Sequence, residues 1–209
     1  MWRSEVTALV LAMGTFALMG AITPGPVNVL AIRHGAAAGR LTALAYVLGA
    51  SLSYALVVWL MGQGGAWLLH EAWAVQGARW LGAAYLLHLA WRIATAPPMA
   101  LAGPADAPRH AAWAALAALR DGGLTQSLNP KAWLVALSGI GLFVLPQADA
   151  QAALGLFCAV SLLACGLGVG CWALAGRLLA QALAPPARQQ GFNRAMGALL
   201  ALSVASMLG

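Results

Sequence analysis

The sequence predicts an all-α integral membrane protein. Six transmembrane helices form two inverted three-helix repeats, with helices one and four broken. Three observations predict this. The 209-residue chain is 62% hydrophobic and 8% charged, with a mean hydropathy of +0.82, whereas soluble domains are about a quarter charged. Six apolar segments are long enough to cross a hydrocarbon core, which takes about 20 helical residues. The first and fourth segments carry proline breaks at corresponding places, Thr23-Pro24-Gly25-Pro26 and Asn129-Pro130-Lys131, as expected of two related halves.

Span one covers residues 6–32. Arg3 and Glu5 nearly cancel ahead of it, and the apolar stretch resumes after the prolines, so it reads as a first transmembrane helix and not as a cleaved signal. Spans two and three cover 41–69 and 73–96. The next stretch holds Pro97, Pro98, Pro104 and Pro108 and is the one real linker. It divides the chain into a first repeat (1–96), a cytoplasmic linker (97–112) and a second repeat (113–209). Span four covers 124–145, span five 150–179 and span six 192–208. If span one runs to about His34 and span four begins near Trp113, both breaks fall near the bilayer midplane.

Arginine placement sets the orientation. Arg33, Arg40, Arg92, Arg109, Arg120, Arg177, Arg188 and Arg194 fall on one side, Arg3 and Arg79 on the other. The positive-inside rule makes the richer side cytoplasmic and puts both termini outside. With three spans per half, the second half enters in the opposite sense. A weak internal echo supports the repeat: Arg79-Trp80-Leu81-Gly82-Ala83 opens span three, and Arg194-Ala195-Met196-Gly197-Ala198 opens span six. The net charge of +6 needs no nucleic-acid partner, because no basic run tracks phosphates.

The breaks are the candidate site. Proline removes a backbone donor and ends the helix before it, and unpaired backbone groups are tolerated in lipid only where they face protein or a watery cavity. A restarting half-helix presents free N–H groups and the positive end of its dipole, which suits a carboxylate, while bared carbonyls suit an ammonium. Lys131, the only lysine, adds a charge that is costly at membrane depth unless used. The candidate substrate-binding residues are Thr23, Pro24, Gly25, Pro26, Asn28, Asn129, Pro130 and Lys131.

Asp121 reads as a helix-start charge and His88 as a buried, hydrogen-bonded histidine, and both are also candidates for proton coupling. Cys158, Cys165 and Cys171 share span five without C-x-x-C spacing, so they read as small packing residues and not as a disulfide or zinc framework. Gly166, Gly168 and Gly170 would let span five approach another helix. Of the nine tryptophans, Trp2, Trp67, Trp73 and Trp91 fit interfacial belts. No nucleophile–base constellation appears, so the chain reads as a non-enzyme without cofactor or resident metal.

These residues resemble the LysE/RhtB family of amino-acid exporters. The family's T-P-G-P-x-N appears as residues 23–26 with Asn28, and its G-x-x-x-G-R as Gly35, Gly39 and Arg40, followed by Gly49 in span two. Its N-P-K-A appears at Asn129 to Ala132, with Pro146-Gln147 downstream. Span three, Leu81-Gly82-Ala83-Ala84-Tyr85-Leu86, is similar to the family's L-G-x-x-Y-L, and Asn193-Arg194-Ala195-Met196-Gly197 to its N-R-x-x-G. The chain departs from the pattern at Ala43, Ser53 and Ala148, which bears on packing. The resemblance implies efflux of amino acids or related small zwitterions across the bacterial inner membrane, driven by proton antiport. The partners implied are the cargo and the lipid bilayer, with a homodimer as a candidate assembly.

Two other readings compete. A cation or heavy-metal exporter of the same superfamily needs His, Cys or carboxylate ligands gathered in the spans. A thiol-electron carrier needs a reactive cysteine at each break, and neither break contains one.

Overall fold

The computed structural model describes residues 2–36, 39–64, 72–96, 108–179, 182 and 185–208. Among them are eight α-helices and no strand. They are α1 (Trp2–Ile22), α2 (Pro26–Ala36), α3 (Arg40–Gly62), α4 (Ala72–Ala94), α5 (Pro108–Ser127), α6 (Pro130–Gly139), α7 (Ala150–Leu179) and α8 (Pro186–Leu208). A π-helical turn, Ile140–Val144, continues α6 and closes with Leu145 N–H donating to the Ile140 carbonyl at 3.0 Å.

Proline writes much of this punctuation. Pro26, Pro108, Pro130 and Pro186 each stand at the first position of a helix, where the missing N–H is unneeded and φ is already helical. Pro24 ends α1, because the residue before a proline is pushed out of the helical region. The chain bends by 70° between α1 and α2 and by 63° between α5 and α6. Asp149 starts α7 by accepting the Ala152 N–H at 2.9 Å, as an N-cap does.

Among the described residues two helices, α3 and α7, are long and apolar enough to cross a membrane, and up to four spans result if each bent pair counts as one. Their outer faces suit lipid. Leu44, Leu48, Leu52 and Leu56 recur every fourth residue along α3 and are exposed, as are Leu163, Leu167, Leu174 and Leu178 on α7. Continuous apolar faces of this kind are rare in water. The helices α4 and α8 are as long as α3, at 23 residues each, but carry more polar residues and pack on each other.

The central helices cross over between the halves. The first-half helix α3 packs against α5 and α6, and the second-half helix α7 packs against α1 and α2. The two then pack on each other. Reciprocal glycines set the closest approaches. A Cβ at Gly35 would collide with the Ala173 carbonyl, and one at Gly176 with that of Ile32; Gly49 and Gly122 meet the carbonyls of Leu119 and Tyr46 in the same way. Of the glycines expected to bring span five close, Gly168 does so, against Ala21, whereas a Cβ at Gly170 would meet nothing.

Several boundaries differ from the sequence reading. Span four starts well before residue 124, because α5 begins at Pro108. By sequence the run Arg120-Asp121-Gly122-Gly123 falls ahead of span four, with Asp121 as a helix-start charge. It is helical within α5, and there Gly122 lies flat against the α3 backbone at Tyr46 and Ala50. Residues 108–112, assigned to the linker, are therefore helical, and the rest of the linker, 97–107, lies outside the described residues. Span two stops at Gly62, not 69: Gln63 caps it and Gly64 turns the chain with φ +100°. Residues 65–69 lie outside the described residues. The longer α1 and α5 put the breaks well inside their bent pairs.

Candidate functional site

The two breaks meet. Lys131, at the second position of α6, donates from Nζ to the Thr23 carbonyl at 3.0 Å, linking residues 108 positions apart. It is thus a cation at the C-terminal, negative end of α1. Pro24 and Pro26 have no N–H to give, so the last carbonyls of α1 need other donors. Side chains supply them. Asn28 Nδ2 donates to the carbonyls of Ala21 and Thr23, both at 2.9 Å. Trp172 Nε1, from α7, donates to the Ile22 carbonyl at 3.1 Å. Thr23 folds its hydroxyl back onto the Met19 carbonyl at 2.6 Å.

The second break is built alike. Asn129 Oδ1 accepts the Lys131 backbone N–H at 3.2 Å as the cap of α6. Trp133 Nε1 donates to the carbonyl of Ser127, the last residue of α5, at 2.8 Å. So the terminal carbonyl before each break takes an indole N–H. Ser53, where the resembled pattern has glycine, ties α3 to this break through Ser127 Oγ at 2.6 Å and the Gly123 carbonyl at 2.9 Å. Gly82 lets α4 close on the same place: a Cβ there would lie 2.5 Å from the Leu128 carbonyl oxygen.

Between the breaks is a cavity of about 40 Å³ lined by Thr23, Gly25, Asn28, Asn129 and Lys131 together with Tyr54, Gln126 and Cys165. Two of its wall groups are buried without a hydrogen-bond partner, Asn28 Oδ1 and the Tyr54 hydroxyl. Such groups each cost about 1–3 kcal/mol unless something satisfies them. The site therefore holds a cation, the helix-end carbonyl of Thr23 to which it donates, an open amide oxygen and an open hydroxyl around one small volume. Pro24, Pro26 and Pro130 shape the backbone around it.

Other sequence candidates lie elsewhere. His88, expected to be buried, is exposed on α4 and does not line the cavity. Asp121 is within α5 and not at a helix start; it lies within electrostatic reach of Arg33 and His34 at the end of α2. Cys165, expected as packing, is buried but also lines the cavity, where Gln126 Nε2 approaches its Sγ at 4.0 Å. Tyr54, Gln126, Trp133 and Trp172 escaped the sequence reading. Their signal was being polar or aromatic at positions where a lipid-facing helix would carry leucine.

The family model of the LysE type translocator matches residues 18–208. A cysteine/O-acetylserine efflux protein of Salmonella choleraesuis is 36% identical over 186 residues, covering 87% of this chain and 89% of its own. The protein of that name in Escherichia coli K12 is 34% identical over 175 residues, covering 81% and 83%. No solved structure matches. From the matched length, the shared identity and the paired helix breaks, the chain belongs to the LysE-type translocator family.

Proposed function

We propose that this protein exports small zwitterionic amino acids of the cysteine and O-acetylserine kind from the bacterial cytoplasm through the cavity between its two breaks. The observation that carries the reading is the Lys131–Thr23 contact at 3.0 Å, beside two unsatisfied polar groups, Asn28 Oδ1 and Tyr54 Oη. An incoming carboxylate draws the Lys131 ammonium away from the Thr23 carbonyl. That carbonyl, at the negative end of α1, and Asn28 Oδ1 then accept hydrogen bonds from the cargo ammonium. One contact is exchanged for several: Asn28 Oδ1 gains the cargo ammonium, and the Tyr54 hydroxyl donates to the cargo carboxylate. The residues assigned to cargo are Thr23, Pro24, Gly25, Pro26, Asn28, Asn129, Pro130 and Lys131. The cavity of about 40 Å³ has room for water and none for an amino acid, since a single water needs about 10–15 Å³ on this measure. Cargo entry therefore requires the breaks to part, and the Lys131 contact is the latch.

The topology belongs to the same proposal. Six spans, with α4 and α8 crossing as well, give two inverted repeats and both termini outside. The contact pattern supports this: exchanging α1 and α2 with α5 and α6, α3 with α7, and α4 with α8 turns the packing of α3 on α5 and α6 into that of α7 on α1 and α2. Proton antiport is carried from the family. Of its two candidates, Asp121 lies five residues before the cavity residue Gln126, roughly 7.5 Å along α5, while His88 faces outward on α4. The cation-exporter alternative gains no specific observation.

The test is flux in everted membrane vesicles with labelled cysteine and O-acetylserine. Lys131→Ala and Asn129→Ala should insert at native levels and lose transport. Native flux in either variant, at equal abundance, overturns the site.

A further inference from the structure

A second concave surface lies outside the transport cavity. It is a groove of about 550 Å³ lined by residues of α2, α3 and α7. Its mouth carries Arg40, at the start of α3, and Arg177, in the last turn of α7. Neither guanidinium has an acidic partner among the described residues. Inward from the arginines the wall is apolar: Leu44 and Val47 on α3, and Ala173, Gly170 and Gly166 on α7. A Cβ at Gly170 would meet nothing within 4 Å, so the groove is open there. From Arg177 to Gly166 is eleven residues of helix, roughly 16 Å, about the depth of one leaflet of a 30 Å hydrocarbon core.

We propose that this groove binds one anionic phospholipid, its phosphate between Arg40 and Arg177 and an acyl chain along Gly170 and Gly166. Charge and shape select this occupant together. Basic pockets between helices at the membrane surface recognise anionic headgroups, and the apolar floor continues directly from the basic mouth. A second copy of the chain fits less well. It would bring the same basic rim, and the sequence offers 5 acidic residues against 11 basic ones. The proposal does not depend on the transport reading, because it uses no residue of the transport cavity.

The experiment uses the full-length protein in neutral maltoside micelles. Native mass spectrometry reads lipid retained, and thermal unfolding reads stabilisation. The probes are phosphatidylglycerol, phosphatidylcholine with the same chains, and inorganic phosphate. Phosphatidylglycerol should be retained at one per chain and raise the unfolding temperature; the other two should not. The double variant Arg40→Gln with Arg177→Gln should weaken retention by on the order of tenfold or more. If that variant fails to fold, Gly170→Leu decides: it fills open space, so it should fold and lose the lipid. Equal retention of phosphatidylcholine overturns the proposal. So does an equal shift with inorganic phosphate, which makes the site one for free anions. A dimer in which both arginines are covered, with no lipid retained, also overturns it.

Discussion

The hydroxyls of Tyr46 and Tyr54 sit eight residues apart on α3, both buried, with opposite circumstances. Tyr46 Oη donates to the Val27 carbonyl at 2.9 Å and fastens α3 to α2. Tyr54 Oη has no partner and faces the cavity beside Asn28 and Lys131. A buried donor left unmade is costly, while a made bond contributes about 1 kcal/mol net. The same substitution should therefore act with opposite sign. Tyr46→Phe should lower stability by about 1 kcal/mol through loss of this second bond to the Val27 carbonyl. Tyr54→Phe should be neutral or stabilising by up to about 1 kcal/mol, yet raise KM for cargo by roughly five- to tenfold, the value of one hydrogen bond. Thermal unfolding in detergent and vesicle flux read the two effects separately. Native KM in Tyr54→Phe would remove that hydroxyl from cargo recognition. Asn28 combines both roles. Its amide N–H groups hold the Ala21 and Thr23 carbonyls, while its oxygen is open. Asn28→Ala should thus cost stability as well as transport, by about 1–2 kcal/mol on the scale of hydrogen bonds between membrane helices.

At the scale of elements, the fold depends on a few backbone-to-backbone crossings. Gly35 with Gly176 joins α2 to α7, and Gly49 with Gly122 joins α3 to α5. No side chain fits there, because the opposing atom is a carbonyl that cannot move without its helix. Gly122→Ala or Gly176→Ala should lower the unfolding temperature markedly and cut the yield of folded protein. Gly155→Ala is the control: nothing lies within 4 Å of a Cβ on Gly155, so the helix gains about 0.5–1 kcal/mol of propensity. Equal behaviour of the three variants in a thermal scan would mean that the crossings do not set stability. The same elements show what a sequence can reveal. Prolines declared both breaks, because their effect is local, whereas Pro108, part of the linker by sequence, starts α5. The start of α5 stayed hidden ahead of Arg120 to Gly123, a run with two glycines that is nonetheless helical, with Gly122 packed against α3. Gln126 and Trp172 stayed hidden because each serves a partner from a distant part of the chain. The pairing of Lys131 with Thr23 was suggested by matched breaks, yet its contact partner is a backbone carbonyl, which no residue type announces.

At the scale of the molecule, each half holds the other's broken helix. The central helix α7 carries α1 and α2, and α3 carries α5 and α6. The two halves are thereby interlocked, and any motion that parts the breaks must shift α3 against α7. This arrangement makes orientation a sharp question, since one observation fixes the sense of both halves. Ten arginines divide eight to two between the sides, and basic residues near span ends are retained in the cytoplasm. Alkaline phosphatase, active only outside the cytoplasm, should be active when fused after Leu208 and inactive when fused within residues 97–107. A fluorescent protein that matures only in the cytoplasm should give the reverse pattern at the same two sites. Both fusion sites reporting on a single side would break the odd count of three spans in the second half. An exchanged pattern would put the linker outside and turn Lys131 and the arginine-rimmed groove toward the opposite leaflet. The expected pattern makes the arginine-rich side cytoplasmic, which is the side from which an exporter must load its cargo.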